Sequence, residues 1–140
     1  MARFDKLTGF AGFVRIAALV LLALSLFACA GKIRSVSHHP LPIDADPTLE
    51  EAEQSIRAGA ALRGWIVDQE APGVLLATLR IRARVAAVAI RHDATHFDVE
   101  YRTSENLNDN GDGSIHNSYN KWVNHLVLAI SGTKPGEPRR

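Results

Sequence analysis

The chain has a single cysteine among its 140 residues, and charge of neither sign prevails. One cysteine excludes an intramolecular disulfide framework and makes a cysteine-based zinc site implausible. The 16 basic and 15 acidic residues give a net charge of +1, which argues against a nucleic-acid binder held by bulk charge. We therefore expect no nucleic-acid partner. The length suits one small domain rather than two.

No apolar run is long enough to span a membrane. The longest, residues 16–28, falls short of the roughly 20 apolar residues that a spanning helix needs. It follows a basic region with Arg3, Lys6 and Arg15. A basic region followed by a short apolar core is typical of a secretory signal peptide. We predict a signal peptide over residues 1–28.

The end of this region resembles the lipobox of bacterial lipoproteins, with Leu26 at −3, Ala28 at −1 and then Cys29. Phe27 departs from the small or β-branched residue usual at −2. The resemblance implies lipidation at the sulfur of Cys29, with acyl chains such as palmitate holding the protein to the membrane. Each buried methylene adds about 0.8 kcal/mol, so several chains give stable anchoring.

The same resemblance implies a location in the bacterial cell envelope. Ala30 after the cysteine favours the outer membrane, with the protein facing the periplasm. The alternatives are an ordinary secretory signal with a fortuitous cysteine and an uncleaved anchor.

The remaining chain divides into a tether, a domain and a tail. Residues 29–47 comprise the lipidated cysteine and a segment with three prolines and few large apolar groups, which predicts an extended tether. The adjacent histidines His38 and His39 lack further ligands, and we expect them to bind no metal. Residues 48–132 are predicted to form a small α+β domain, and residues 133–140 a flexible tail.

The hydrophobic pattern of the domain predicts the order α-β-β-β-β-α. A capping-box sequence beginning at Thr48 opens a helix over 48–62, and a second helix over 116–130 has an apolar stripe. Strands are predicted at 65–69, 74–82, 85–91 and 96–102. We expect a four-stranded antiparallel meander with both amphipathic helices on one face. The stripe of the second helix comprises Ile115, Tyr119, Trp122, Val123, Leu126 and Ile130.

A polar patch between residues 104 and 124 is the main candidate for binding a ligand or partner. Asn117, Asn120 and Asn124 share one face of the second helix. Tyr119 and Trp122 have the simpler interpretation of core anchors whose polar tips reach a neighbour. The patch comprises Ser104, Asn106, His116, Tyr119, Asn120, Trp122 and Asn124.

The loop over 104–114 contains candidates for binding calcium. Asn108, Asn110 and Asp112, followed by Gly113, resemble the first half of a calcium loop. Tyr119 stands where the motif requires a bidentate glutamate. A polar turn is the simpler interpretation, and we expect no cofactor.

Arg80, Arg82 and Arg84 predict a basic stripe, with Asp98 and Glu100 on the same wet face of the sheet. The simple interpretation is a solvated face of mixed charge. The functional one is a docking surface for anionic lipid headgroups, lipopolysaccharide or a protein partner.

The sequence is poor in catalytic signals. Ser104, Glu105 and His116 are residue types found in hydrolases, but no Gly-x-Ser-x-Gly elbow is present. No glycine-rich phosphate loop is present either. We therefore expect no enzyme activity.

Over roughly residues 14–130 the chain resembles a group of small proteobacterial lipoproteins of uncharacterised function. The pattern begins with Gly64-Trp65 and is most specific over 115–123, which reads Ile-His-x-x-Tyr-Asn-x-Trp-Val. The resemblance implies a lipid-anchored envelope protein and carries over no activity. We predict a non-enzymatic binding or accessory role, with the membrane and an envelope protein as partners. The alternatives are a ligand- or calcium-dependent periplasmic binding module and a structural envelope protein.

Overall fold

The structure is a computed structural model that describes residues 30–43 and 45–132. The predicted signal peptide 1–28, the lipidated Cys29 and the tail 133–140 lie outside the described residues. The elements follow the order β1 Ala30–Lys32, β2 Val36–Pro40, α1 Leu49–Ala61, β3 Ile66–Ala71, β4 Val74–Ile81, β5 Arg84–His92, β6 His96–Glu105, β7 Ser114–His116 and α2 Asn117–Gly132.

The domain is α+β, as predicted, but its main sheet has five strands rather than four. Their order is β2-β6-β5-β4-β3, and β1 and β7 form a separate two-stranded sheet. The four predicted strands correspond to β3 to β6, and they pair antiparallel in sequence order as a meander. The prediction of four strands is wrong because the fifth strand comes from the segment expected to be a tether.

Residues 30–43 belong to the domain instead of forming a free linker. Val36 pairs with Val99 and Pro40 with His96, and the register shifts between Val36 and His39. Leu41, which follows β2, is buried with 7% exposure. An edge strand tolerates proline because one of its sides has no strand partner. The predicted tether is therefore wrong over β1 and β2, whose lack of apolar alternation concealed them.

The apolar core lies between one face of the sheet and the two helices. Leu75 pairs with Ile90, which in turn pairs with Val99, and all three are fully buried. The predicted stripe of α2 is buried, except that Trp122 is only partly covered. Leu49, the first residue of α1, is 49% exposed.

The N-terminus of α1 has the predicted capping box. Thr48 Oγ1 accepts a hydrogen bond from the Glu51 amide at 3.2 Å, and the Thr48 amide donates to Glu51 Oε2 at 2.8 Å. This backbone bond lowers the pKa of Glu51. The two bonds satisfy amide groups that the helix leaves without intrahelical partners, which fixes where α1 begins.

Candidate functional site

The side chain of Asn120, in the predicted polar patch, fastens the N-terminal segment to the domain. Its Nδ2 donates to the carbonyl of Lys32 at 2.8 Å, and its Oδ1 accepts from the amide of Arg34 at 3.0 Å. An amide side chain can complete both bonds because it carries a donor and an acceptor. Asn120 is therefore a structural clamp rather than a free ligand group.

Two further contacts hold the same segment. The amide of Ile33 donates to the carbonyl of Gly113 at 2.9 Å, and the phenol of Tyr119 donates to the carbonyl of Arg34 at 3.4 Å. Gly31 lies so close to α2 that a Cβ there would stand 2.5 Å from Asn117 Oδ1. A side chain at position 31 would therefore require the Asn117 side chain to move. We call residues 31–34 the anchor segment.

The aromatic members of the patch are core residues, as their simpler interpretation predicts. Tyr119 is fully buried and meets Tyr101 edge to face, with ring centroids 5.4 Å apart. Burial raises the pKa of Tyr119 above that of an ordinary phenol, so this group remains protonated at neutral pH. Trp122 packs against the same core.

Three of the remaining patch residues are committed to local contacts. Ser104 Oγ bonds with the Tyr101 phenol at 2.9 Å, and Asn106 Nδ2 donates to the carbonyl of Ala83 at 2.6 Å. His116 Nδ1 accepts from the Ser118 amide at 3.1 Å, at the start of α2. Asn124 is partly buried. Ser104 and His116 thus bond to other groups and not to each other.

The carboxylates of the loop between β6 and β7 accept hydrogen bonds from nearby groups of the domain. Asp112 Oδ1 accepts from the Ser114 amide at 2.8 Å, and Asp109 accepts from the Gly111 amide and from the Tyr101 phenol. The Ser114 hydroxyl bond lowers the pKa of Asp112, and the Tyr101 bond lowers that of Asp109. Burial, followed by the Asp109 bond, raises the pKa of Tyr101.

The weak calcium candidates are exposed in this loop. Asn108 has a left-handed φ of 53°, which asparagine tolerates in turns. Asn110 and Asp112 are also exposed. Within residues 30–43 and 45–132, no group of three or more His, Cys, Asp or Glu side chains is arranged to hold a metal ion.

A cleft that sequence reasoning missed lies where β2, β5 and β6 meet. Its volume is about 200 Å³. The imidazoles of His38 and His96 stack in parallel, with ring centroids 3.9 Å apart and an angle of 8° between their planes. Nε2 of His92 is buried without a hydrogen-bond partner in the described structure. We call it the histidine cleft; its walls are formed by His38, Arg91, His92, Asp93, His96, Phe97 and Asp98.

The histidines converge because the fifth strand exists. β2 brings His38 to β6, where the carboxylate of Asp98 accepts from the His38 amide. A left-handed φ of 53° at His38 accompanies the irregular register there. The sequence signal was two histidine pairs, His38-His39 and His92 with His96, but only strand pairing shows that His38 meets His96.

Asp93 forms the turn at the rim of this cleft. Its Oδ1 accepts from the amides of Thr95 and His96, both at 2.7 Å. The bond from the Thr95 amide, followed by that from His96, lowers the pKa of Asp93. The carboxylate is therefore more acidic in the folded chain than in the unfolded one, and its contribution to stability requires the ionised form.

Replacing Asp93 by asparagine is expected to lower Tm modestly at pH 7 and to have no effect at strongly acidic pH. Because folding depresses the pKa of Asp93, its stabilisation is present above about pH 4 and is lost as the pH falls through the folded-state value. Thermal unfolding of both proteins between pH 7 and pH 2.5 measures this. A difference in Tm that is the same at every pH would show that the ionised form of Asp93 is not the source of the stabilisation.

The predicted basic stripe does not face Asp98 and Glu100. Arg80 pairs with Val85, and Val85 with Glu105, so the β4–β5 turn lies at the Glu105 end of β6. Asp98 lies near the other end, and Glu100 instead forms an ion pair with Arg91 at 3.2 Å. The acidic and basic groups are thus separated along the sheet.

Comparison with protein-family models, with curated proteins and with solved structures gives no match for this chain. Among the described residues, no helix is long and apolar enough to cross a membrane.

Proposed function

We propose that the protein is a lipid-anchored lipoprotein of the bacterial cell envelope, held through acylated Cys29 in the outer membrane and facing the periplasm. The observation that carries this proposal is the sequence of residues 16–30, in which an apolar segment ends at the chain's single cysteine.

The proposed role is non-enzymatic binding, and the histidine cleft is the surface that we assign to it. The polar groups of Asn120, Asn106 and Ser104 are engaged within the domain. In contrast, His92, which lines the cleft, has a buried Nε2 without a hydrogen-bond partner among the described residues. A buried polar atom without a hydrogen bond is costly, and a bound polar group would relieve that cost.

Mass spectrometry of the protein purified from bacterial membranes tests the anchor. We expect the wild-type chain to begin at Cys29 and to carry the mass of its acyl groups. Cys29→Ser is expected to abolish the added mass and to retain residues 1–28. An unmodified wild-type chain that keeps residues 1–28 would refute the lipoprotein proposal.

Crosslinking in intact cells tests the binding role. The double variant His38→Ala and His96→Ala removes the stacked pair, whereas His125→Ala removes an exposed histidine of α2 away from the cleft. We expect only the double variant to lose specific crosslinks while retaining its Tm. Crosslinks that survive the double variant would exclude the histidine cleft as the binding surface.

A further inference from the structure

Only a short length of chain separates the proposed lipidation site from the anchor segment, which is fixed to the domain. Lys32 and Arg34 are held by Asn120, and Ile33 by Gly113. A chain spans at most about 3.6 Å per residue, so Cys29 can lie no more than about 11 Å from Lys32. A lipid on Cys29 would therefore bring this part of the domain to the membrane surface.

Exposed basic side chains gather at the same end of the sheet. Asn120, which clamps the anchor segment, precedes Lys121, and the Arg84 guanidinium donates to Ser118 Oγ in the first turn of α2 at 3.3 Å. Arg84 is the first residue of β5 and follows the β4–β5 turn. The Asn106 side chain, just after β6, donates to the Ala83 carbonyl in that turn. We call this surface the basic end; its cations are Lys32, Arg34, Arg80, Arg82, Arg84 and Lys121.

The cations of the basic end form no ion pair with a described residue. Elsewhere in the described domain, Arg57, Arg91 and Arg102 each pair with a glutamate. The acidic residues near the basic end are Glu105, Asp109 and Asp112, fewer than its cations. Asp109 and Asp112 are already hydrogen-bonded within their loop. The surface thus has an excess of uncompensated positive charge.

The histidine cleft lies at the opposite end of the same sheet. β6 runs from His96, at the cleft, to Glu105, at the basic end. At about 3.3 Å per residue, the two ends of this strand are roughly 30 Å apart. The cleft end carries Asp93 and Asp98, and its only lining arginine, Arg91, is paired with Glu100. Charge is therefore polarised along the strand direction.

We propose that, in the lipidated protein, the basic end lies against the anionic phospholipid headgroups of the membrane and the histidine cleft points away from it. This inference rests on the proposed lipidation of Cys29. The short connection brings the basic end to the bilayer, and its charge favours that orientation over one with the acidic end down. Each basic residue near an anionic surface changes partitioning by about fivefold.

Labels at the two ends of the sheet test the orientation in the lipidated full chain. Ala83, in the β4–β5 turn, and Ala94, in the β5–β6 turn, form a matched pair at the basic end and the cleft end. Each is changed to cysteine in a separate protein and labelled with a fluorophore. Cys29 is the only other cysteine, and acylation blocks its thiol. The proteins are placed in vesicles of phosphatidylethanolamine and phosphatidylglycerol that contain nitroxide-labelled headgroups.

We expect strong quenching of the label at position 83 and little at position 94. The double variant Arg82→Gln with Lys121→Gln neutralises two cations of the basic end. We expect it to shift the equilibrium away from the orientation with the basic end on the membrane, by about fivefold for each residue. The control, Gln54→Glu with Gln69→Glu, makes the same change in net charge at exposed positions of α1 and β3. The control is expected not to lower the ratio of quenching at position 83 to quenching at position 94. Vesicles of phosphatidylcholine are expected to lower this ratio.

The acyl mass of each preparation separates the two proposals. A lipidated protein with equal quenching at both positions, or stronger quenching at 94, would overturn the orientation and leave the lipoprotein proposal intact. An equal response to the variant and its control would overturn the role of the basic end. Absence of acyl mass on Cys29 would overturn both proposals.

Discussion

Tyr119→Ala is expected to destabilise the domain by about 3–5 kcal/mol, the cost of deleting a large buried aromatic side chain. Tyr119 is fully buried and packs edge to face against Tyr101. Since small domains are stable by only about 5–15 kcal/mol, this loss would leave the variant marginally folded. Urea unfolding followed by tryptophan fluorescence measures it.

Tyr119→Phe is the matched control. It keeps the ring and removes only the hydroxyl, whose bond to the Arg34 carbonyl is long at 3.4 Å. We expect a loss of less than about 1 kcal/mol. If Tyr119→Ala unfolded at the same urea concentration as wild type, the ring would not be a core anchor, and its interpretation as a ligand residue would be restored.

Gly59→Ala is expected to destabilise the domain by about 1–3 kcal/mol, which corresponds to a fall in Tm of roughly 5–15 °C. A Cβ at Gly59 would stand 2.6 Å from Cα and 2.8 Å from the amide nitrogen of Ile130 in α2. These are backbone atoms, so one helix must move away from the other. Alanine improves helix propensity by about 1 kcal/mol, and the steric cost must exceed this gain.

Gly132→Ala provides the same chemical change without the contact. Gly132 lies at the end of α2, and a Cβ there would meet no atom of the described residues within 4 Å. We expect its Tm to be unchanged or slightly raised. Equal effects of the two substitutions in thermal unfolding would show that α1 and α2 do not approach closely at Gly59.

The parts of the fold with strong periodicity could be predicted. Strand β6 follows from alternation bounded by turns, because Phe97 and Val99 are buried and Asp98 is not. The capping box located the start of α1, and the spacing of Tyr119, Val123 and Leu126 located the inner face of α2. In each case burial of one face requires the periodicity that the sequence shows.

The two N-terminal strands could not be predicted from the same signal. β2 is an edge strand with a bulge, and its central residues Ser37 and His38 are both exposed. β1 pairs with β7, and the Lys32 carbonyl and the Ile33 amide bond to Asn120 and Gly113, all of which lie far away in sequence. Backbone pairing of this kind depends on partners supplied by the tertiary fold and leaves no local pattern.

The candidate site was predicted less well than the fold. Composition identified Asn120 as a polar residue in a dense patch, but an asparagine that clamps a backbone has the same local sequence as one that binds a ligand. The arginines at 80, 82 and 84 were found, whereas their separation from Asp98 depends on strand register. The histidine cleft was missed because it needs β2 beside β6.

Hydrogen exchange at the amides of Ile33 and Arg34 tests the central claim most directly, namely that the segment after the anchor is fixed to the domain. These amides donate to Gly113 and to the Asn120 side chain. We expect both to be protected in the full lipidated chain in micelles, and Asn120→Ala to accelerate exchange at Arg34. Exchange as fast as in an unstructured peptide at both positions would show a free tether and remove the basis for a fixed orientation at the membrane.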